Sequence, residues 1–270
     1  MYIRTEPLRV ETLTVEISGL PTALQGTKLV QMSDFHYGPH QLPTKLLERA
    51  IAICNEAEPD LVLLTGDFVT YAPDPIHEPV KYFQQLQSRA GIYAVLGNHD
   101  MYYPESKPEV MAALTEIGIK VLWNEVAYPL GSQLALVGMP DFWSREFNPA
   151  PVMDRIATDI PRIVLSHQPD SAQVLREWRV DLQLSGHIHG GQICLPKIGP
   201  LLLWVNLLLK NVFKSIYSVF PWLIKHWEWA EGFHQVGSNY LYVNRGLGTY
   251  WPGRLFCPPD VTVITLVQRH

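Results

Sequence analysis

Five short apolar runs in this chain, each about the length of a β-strand, stop on an aspartate, asparagine or histidine. Residues 28–33 (KLVQMS) lead into Asp34 and His36, Leu61–Thr65 (LVLLT) into Gly66-Asp67, and 91–96 (GIYAVL) into Asn98-His99-Asp100. Arg162–Leu165 (RIVL) is followed by Ser166-His167, and 182–184 by Ser185-Gly186-His187-Ile188-His189. Apolar runs this short, bounded by polar clusters, read as buried strands. Helix-like stretches at 43–56 and 79–88 separate the first three, so the pattern is β-α-β and the fold class is α/β. In open α/β sheets, ligands bind in the crevice outside the carboxyl ends of the strands. That rule gathers polar residues that are far apart in sequence into one constellation.

Further strands are expected elsewhere. Leu13, Val15 and Ile17 alternate as in a half-buried strand; 121–137, with Gly131-Ser132 between two apolar runs, reads as a hairpin; 240–244 and 261–267 complete the set. A chain of 270 residues can form one large α/β domain, expected here over 1–270 with an aromatic, apolar helical insert at about 201–229. A content of 47% hydrophobic and 17% charged residues excludes a disordered chain or a coiled coil. The net charge of −5 argues against a general nucleic-acid binder, so no nucleic-acid partner is expected. Cys54, Cys194 and Cys257 are odd in number and widely spaced, which suggests neither a disulfide framework nor a thiolate zinc site and fits a reducing, cytoplasmic location. The first twenty residues offer no apolar core of signal-peptide length.

The loop residues at the strand ends are Asp34, His36, Asp67, Asn98, His99, Asp100, His167, His187 and His189. Carboxylate and imidazole donors suit Mn²⁺, Fe or Zn²⁺. Seven candidate ligands (Asp34, His36, Asp67, Asn98, His167, His187 and His189) are too many for one tetrahedral ion. They suit two divalent ions about 3.5–4 Å apart that share a carboxylate, a geometry used for displacement at phosphorus. Taken one at a time, each motif also fits a turn or a helix cap.

In this order and at these intervals, D-x-H, G-D, G-N-H-D, H and G-H-x-H resemble the calcineurin-like metallophosphoesterase superfamily, from about residue 28 to 267. HGGQICLP and the tail NRGLGTYWPGRLFCPPDVTVITL resemble more narrowly its bacterial YkuE-like and YaeI-like subgroup. The resemblance implies a four-layer sandwich of two mixed β-sheets flanked by helices, and hydrolysis of a P–O bond by a hydroxide bridging two divalent metals. It puts Asp34, His36 and His189 on one metal, Asn98, His167 and His187 on the other, and Asp67 between them. His99 resembles the family's general acid. Many relatives carry an acidic residue three positions after the bridging aspartate, where this chain has Thr70, so the partner of His99 is left open between Asp100, Asp74 and something weaker. Arg245, in the turn NRGLG, is a candidate for binding a phosphate oxygen, with a plain structural role as the other reading.

The stretch 201–229 holds four of the eight tryptophans, Trp204, Trp222, Trp227 and Trp229. On a helical wheel Val205, Leu208, Leu209, Val212, Phe213 and Ile216 share one face, with Asn206, Lys210, Asn211 and Lys214 opposite, and Pro221 ends the helix. Its uncharged run falls short of the ~20 residues of a membrane span. It fits peripheral contact with the inner membrane surface, packing on the protein's own core, or an oligomer contact. Membrane contact would favour a phosphate ester or pyrophosphate with an acyl or prenyl tail, and family relatives that cleave a nucleotide-linked diacylated glucosamine show that the scaffold accommodates such chemistry. The alternatives are a soluble phosphodiesterase or nucleotide phosphatase with a structural insert, and a non-catalytic scaffold of the same fold.

Overall fold

The computed structural model describes residues 7–38, 40–205, 225–251 and 253–269. One six-stranded sheet takes β1 (Arg9–Ile17), β2 (Lys28–Met32), β3 (Leu61–Thr65), β4 (Ile92–Val95), β5 (Lys120–Val121) and, from the far end of the chain, β14 (Asp260–Gln268), in the order β1-β14-β2-β3-β4-β5. The other takes β6 (Glu125–Ala127), β7 (Ala135–Gly138), β8 (Arg162–Leu165), β9 (Leu182–Ser185), β12 (Gly232–Val236) and β13 (Asn239–Val243), in the order β12-β13-β9-β8-β7-β6. Between β9 and β12 lies a two-stranded antiparallel ribbon of β10 (Cys194–Leu195) and β11 (Gly199–Pro200). Both large sheets are mixed: β2, β3 and β4 are parallel, as are β7, β8 and β9, while β14 and β6 pair antiparallel with their neighbours β2 and β7.

Alternation along the central strands sorts their side chains into layers. In β3, Leu61 and Leu63 point to the second sheet, while Val62 and Leu64 meet the helices. In β8, Ile163 and Leu165 face the first sheet, and Val164 packs outward. The helices on the first sheet are α1 (Thr44–Glu56), α2 (Pro79–Phe83) and α3 (Ser106–Glu116); on the second they are the short α4 (Ala150–Met153) and α5 (Ala172–Leu175). α1 buries Leu47, Ala50, Ile51 and Cys54, the i, i+3, i+4, i+7 stripe of a helix laid on a sheet. The result is helix, sheet, sheet, helix, as the family resemblance implied.

Polar links cross between the two sheets: the hydroxyls of Tyr242 in β13 and Thr262 in β14 meet at 3.1 Å, and a second link lies under the strand-end motifs. Gln31 of β2, fully buried, donates through Nε2 to the Ser185 carbonyl of β9 (2.9 Å) and to Thr65 Oγ1 of β3 (3.0 Å). The link lies beneath the ends of three of the strands that terminate in the sequence motifs.

Two expectations are corrected, and a third falls largely outside the described residues. The stretch 121–137 is not one hairpin: Val121 pairs with Ala94 in the first sheet, and only 125–138 forms the hairpin, within the second. α2 stops at Phe83 rather than reaching Ser88. Asn55 of α1 is the reason, since its side chain donates to the Gln85 carbonyl and accepts from the Gln87 amide, giving the backbone partners other than a helix. In the insert, 201–205 is helical. The rest of the expected amphipathic helix, with Lys210, Lys214 and the break at Pro221, lies outside the described residues. Among the described residues no helix is long and apolar enough to cross a membrane.

Replacing Gln31 with methionine keeps the volume and removes the donors, leaving the buried Thr65 hydroxyl without Gln31 and the Ser185 carbonyl with the Asn244 amide alone. The expected cost is about 1–3 kcal/mol, read as a lower midpoint in urea unfolding with an unchanged slope. An unchanged midpoint would show that the tie between the sheets contributes nothing.

Candidate metal centre

The carboxyl ends of β2, β3 and β4 in one sheet meet those of β8 and β9 in the other, and the next residues of each strand converge. Asp34, His36 and His189 bring one donor atom each within 4.8 Å of one another, and so do Asp67, His167 and His187. Asp67 lies between the two groups: its Oδ2 is 3.0 Å from His167 Nε2 and 3.4 Å from His36 Nε2. Asp34 Oδ1 is 3.4 Å from His189 Nε2 and 4.0 Å from both His36 Nε2 and His167 Nε2. Asn98 and His99 border the same cavity as Asp67, His187 and His189, and Asn98 Oδ1 is buried without a hydrogen-bond partner.

The backbone is bent to achieve this. Asp34, His36, Asp67, His187 and His189 all have φ between 42° and 74°, a left-handed conformation uncommon for residues with a Cβ and tolerated best by Asp, Asn and His. Such conformations cost about 1–3 kcal/mol each and persist only where the surroundings impose them. Close approaches impose it here: a Cβ on Gly97 would lie 2.1 Å from Asp67 Oδ1, and one on Gly186 would lie 2.1 Å from Asp34 Oδ2.

Main-chain carbonyls fix the rings. His167 Nδ1 donates to the Thr65 carbonyl (2.6 Å) and His189 Nδ1 to that of Gly248 (3.2 Å), which turns Nε2 of both rings inward. His167 Nε2 then faces the Asp67 carboxylate at 3.0 Å, and the Nε2 atoms of His36 and His189 confront each other at 3.1 Å. Lone pairs aimed at a common point are what a cation between them requires.

The charges agree with that fit. Burial alone would raise the Asp67 carboxyl, yet His167, with His36 and His99 behind it, holds it well below the usual carboxylate range. Burial pushes Asp34 up to about 6, His167 pulling it down and Asp67 pushing it further up. Burial also pulls His36 down to about 3 and His189 well down, leaving both rings neutral, the form in which imidazole ligates. Burial opposes charge on His167 as well, but Asp67, Asp34 and Asp141 outweigh it and lift the ring to about 10. The field that holds a proton there suits a divalent cation better, and the donor set matches Mn²⁺, Zn²⁺ or Fe.

Asp100 holds the frame. Fully buried, its carboxylate accepts backbone hydrogen bonds from Asp67 (2.8 Å), Phe68 (2.7 Å), Val69 (3.1 Å) and Gly97 (2.9 Å), joining the loops after β3 and β4. It therefore does not orient His99. The His99 ring instead sits with Nδ1 2.5 Å from the backbone carbonyl of Thr70, so the partner left open by the sequence is main chain.

Arg245 departs from its expectation. Its guanidinium pairs with Glu11, Glu231 (3.3 Å) and Asp260 (3.5 Å) and lines a separate cavity, away from the convergent donors. The sequence reading also missed Tyr250 and Arg254, and it favoured a plain loop aspartate at Asp141. Asp141 is buried close enough to His167 to feel its charge, and it holds the Trp143 amide. Tyr250 places its hydroxyl between His36 and His99. Arg254, with no exposure, donates to the carbonyls of His189, Arg245, Gly246, Gly248 and Cys257, locking the NRGLG turn against the loop of His189. Asp100 stood in plain view as the last letter of GNHD, although nothing there announced four main-chain partners.

The cavity measures about 390 Å³. Asp67, Asn98, His99, His187 and His189 line one part of it, and Trp143, Ile188, Leu202 and Trp227 contribute apolar wall.

The chain belongs to the calcineurin-like phosphoesterase family, whose pattern residues 27–191 match, and is a metal-dependent phosphoester hydrolase. It is similar to the phosphodiesterase YaeI of Escherichia coli, with 32% identity over 89% of this chain and 82% of the relative. It is also similar to the metallophosphoesterase YkuE of Bacillus subtilis, at 30% identity over 98% of this chain and 88% of the relative. A third relative, the UDP-2,3-diacylglucosamine pyrophosphatase LpxG of Chlamydia trachomatis, is 27% identical over 97% of this chain and 90% of its own length.

Asp100→Asn turns an amide group toward two of the four backbone N–H donors. The expected loss is about 1–3 kcal/mol per orphaned donor, seen as a lower thermal midpoint together with faster metal loss to a chelator. A normal midpoint with normal metal retention would mean that other contacts hold the two loops.

Proposed function

We propose that this chain, as one metallophosphoesterase unit over 1–270 with an aromatic insert at 201–229, hydrolyses a lipid-linked phosphate ester or pyrophosphate at the cytoplasmic surface of a membrane. The observation that carries this reading is the wall of the cavity. Leu202 and Trp227 stand at the two described ends of the insert, and both face the cavity that Asp67 and His187 line. An acyl or prenyl tail along Leu202, Trp227, Ile188 and Trp143 would take apolar surface out of water on both partners, at about 25 cal/mol per Å². Outside, Ile198, Leu202, Trp204 and Val205 are 40–51% exposed, an apolar rim of the kind that contacts lipid. The name of the relative LpxG describes a substrate of the same amphipathic kind, a diacylated sugar joined to a nucleotide through a pyrophosphate.

Asp34, His36 and His189 would hold one divalent cation, and Asn98, His167 and His187 the other, with Asp67 shared. Bound there, the pair supplies positive charge to the phosphoryl oxygens and lowers the pKa of water enough for attack near neutral pH. The chain supplies the rest. The Thr65 and Gly248 carbonyls keep the ligand rings turned inward, burial keeps bulk water from the donors, and Asp100 holds the Asp67 loop against relaxation. His99, beside the Asn98 donor and tethered at Nδ1 by the Thr70 carbonyl, directs Nε2 at the cavity and hands its Nε2 proton to the departing oxygen.

Metal-stripped protein given Mn²⁺, Zn²⁺ or Mg²⁺ should recover hydrolysis of a chromogenic phosphate ester at about two ions per chain. Asp67→Asn should abolish both metal content and activity. His99→Ala should keep the metals and lose about 100-fold or more on esters with poor leaving groups; metal loss in that variant would put its role in error. Replacing residues 206–224 with a short Gly/Ser linker should leave the chromogenic reaction largely intact and abolish flotation with anionic vesicles. Unchanged flotation would remove the membrane part of the reading and leave a phosphodiesterase whose insert is structural.

A further inference from the structure

His99 is held at both ring nitrogens, and neither partner is charged. The Thr70 carbonyl at Nδ1 can only accept, so Nδ1 carries the hydrogen of the neutral ring. The Thr70 hydroxyl makes no bond to the ring, since it is buried without a hydrogen-bond partner. At the other nitrogen, Nε2, the Tyr250 hydroxyl lies 3.0 Å away: the phenol donates to the neutral ring, and when Nε2 carries the proton destined for the leaving oxygen the phenol oxygen is the acceptor beside it. The same oxygen is 2.6 Å from His36 Nδ1 and 3.1 Å from His36 Nε2, and the Tyr250 ring stands 4.5 Å from that of His36 and 5.5 Å from that of His99. One phenol thus touches both a candidate cation ligand and the candidate acid.

The phenol is itself held in place. Gln192 Oε1 accepts from the Tyr250 amide (2.7 Å) and from Thr249 Oγ1 (2.8 Å). Gln192 follows the His189-Gly190-Gly191 turn directly and has φ 56°, so the loop that carries a ligand also fixes where Tyr250 stands. A ring tied at one nitrogen can pivot about that bond. A second tie on the opposite edge narrows the pivot and keeps Nε2 trained on the cavity.

We propose that Tyr250 is a positioning residue for His99, its hydroxyl acting with the Thr70 carbonyl as a neutral two-sided clamp in place of a carboxylate. The inference rests on the reading of His99 as the proton donor to the leaving oxygen. It predicts a defect confined to substrates whose leaving oxygen needs a proton.

The test is a double-mutant cycle on the Mn²⁺-loaded full chain with Tyr250→Phe, His99→Ala and the pair, using a 4-nitrophenyl and an alkyl phosphate ester. Tyr250→Phe should keep its metal content and KM and lose kcat on the order of 10-fold on the alkyl ester, against less than about twofold on the nitrophenyl ester. In the His99→Ala background it should cost nothing further. Equal losses on both esters, loss of metal, or an undiminished effect without His99 would each overturn the clamp. His99→Ala alone reads the premise: if its loss is no greater for the alkyl ester, the proton-donor reading fails and takes the clamp with it. A leaving-group-dependent His99→Ala beside a silent Tyr250→Phe would overturn the tyrosine's role only.

Discussion

Two carboxylates hold each other's loops. Asp100 accepts the amide of Asp67, and Asp67 Oδ1 accepts the amide of His99, at 2.8 and 2.9 Å. The exchange ties the end of β3 to the end of β4 in the way a capping box ties a helix start, with the bonds running between neighbouring strands. Its effect is to set Asp67 by two independent means, through its own backbone and through its side chain. The other oxygen of that side chain is then free to stand between His36 and His167. Remove the exchange, and the left-handed backbone at Asp67 has little reason to persist.

The centre is costly to assemble without a cation. Several of its donors hold an uncommon backbone conformation, and Asp34, Asp67, His36 and His167 are almost wholly removed from water. Buried charges of this kind are tolerated only when paired, and their removal from water costs several kcal/mol even after relaxation. His167 shows the field at work, since three surrounding carboxylates outweigh its burial. The rigid sheets beneath, tied by Gln31, supply the stability that lets the loops above carry strain.

The strand ends were legible because two signals coincide there: an apolar run that must be buried, and a polar residue that must lie at its exit. Periodicity therefore located Asp34, Asp67, Asn98, His167 and His187 on one rim, and the structure brings these side chains together. Direction was not legible. Arg245 sits at the expected height, but its stem passes Gly190 and its head is drawn to Glu11, a residue from the other end of the chain that the parallel pairing of β1 with β14 delivers. Tyr250 and Arg254 escaped for a related reason. The rings that Tyr250 touches lie on distant segments, and Arg254 joins the carbonyls of its own neighbourhood to that of His189, a link no local pattern encodes. The premature end of α2 likewise depends on Asn55, in a different helix.

Both borders of the aromatic insert are fastened to the body by main-chain amides. Leu201 bonds to the Ile193 carbonyl at 2.8 Å, and the buried carboxylate of Asp170 receives the amides of Lys225 and His226 at 2.7 and 3.2 Å. Neither fastening uses a side chain of the intervening segment. The fastenings themselves therefore set no requirement on the length or composition of the stretch between them, which makes it a cassette. A lineage could retune which molecules reach the centre by exchanging this one piece, while the chemistry beneath stays fixed.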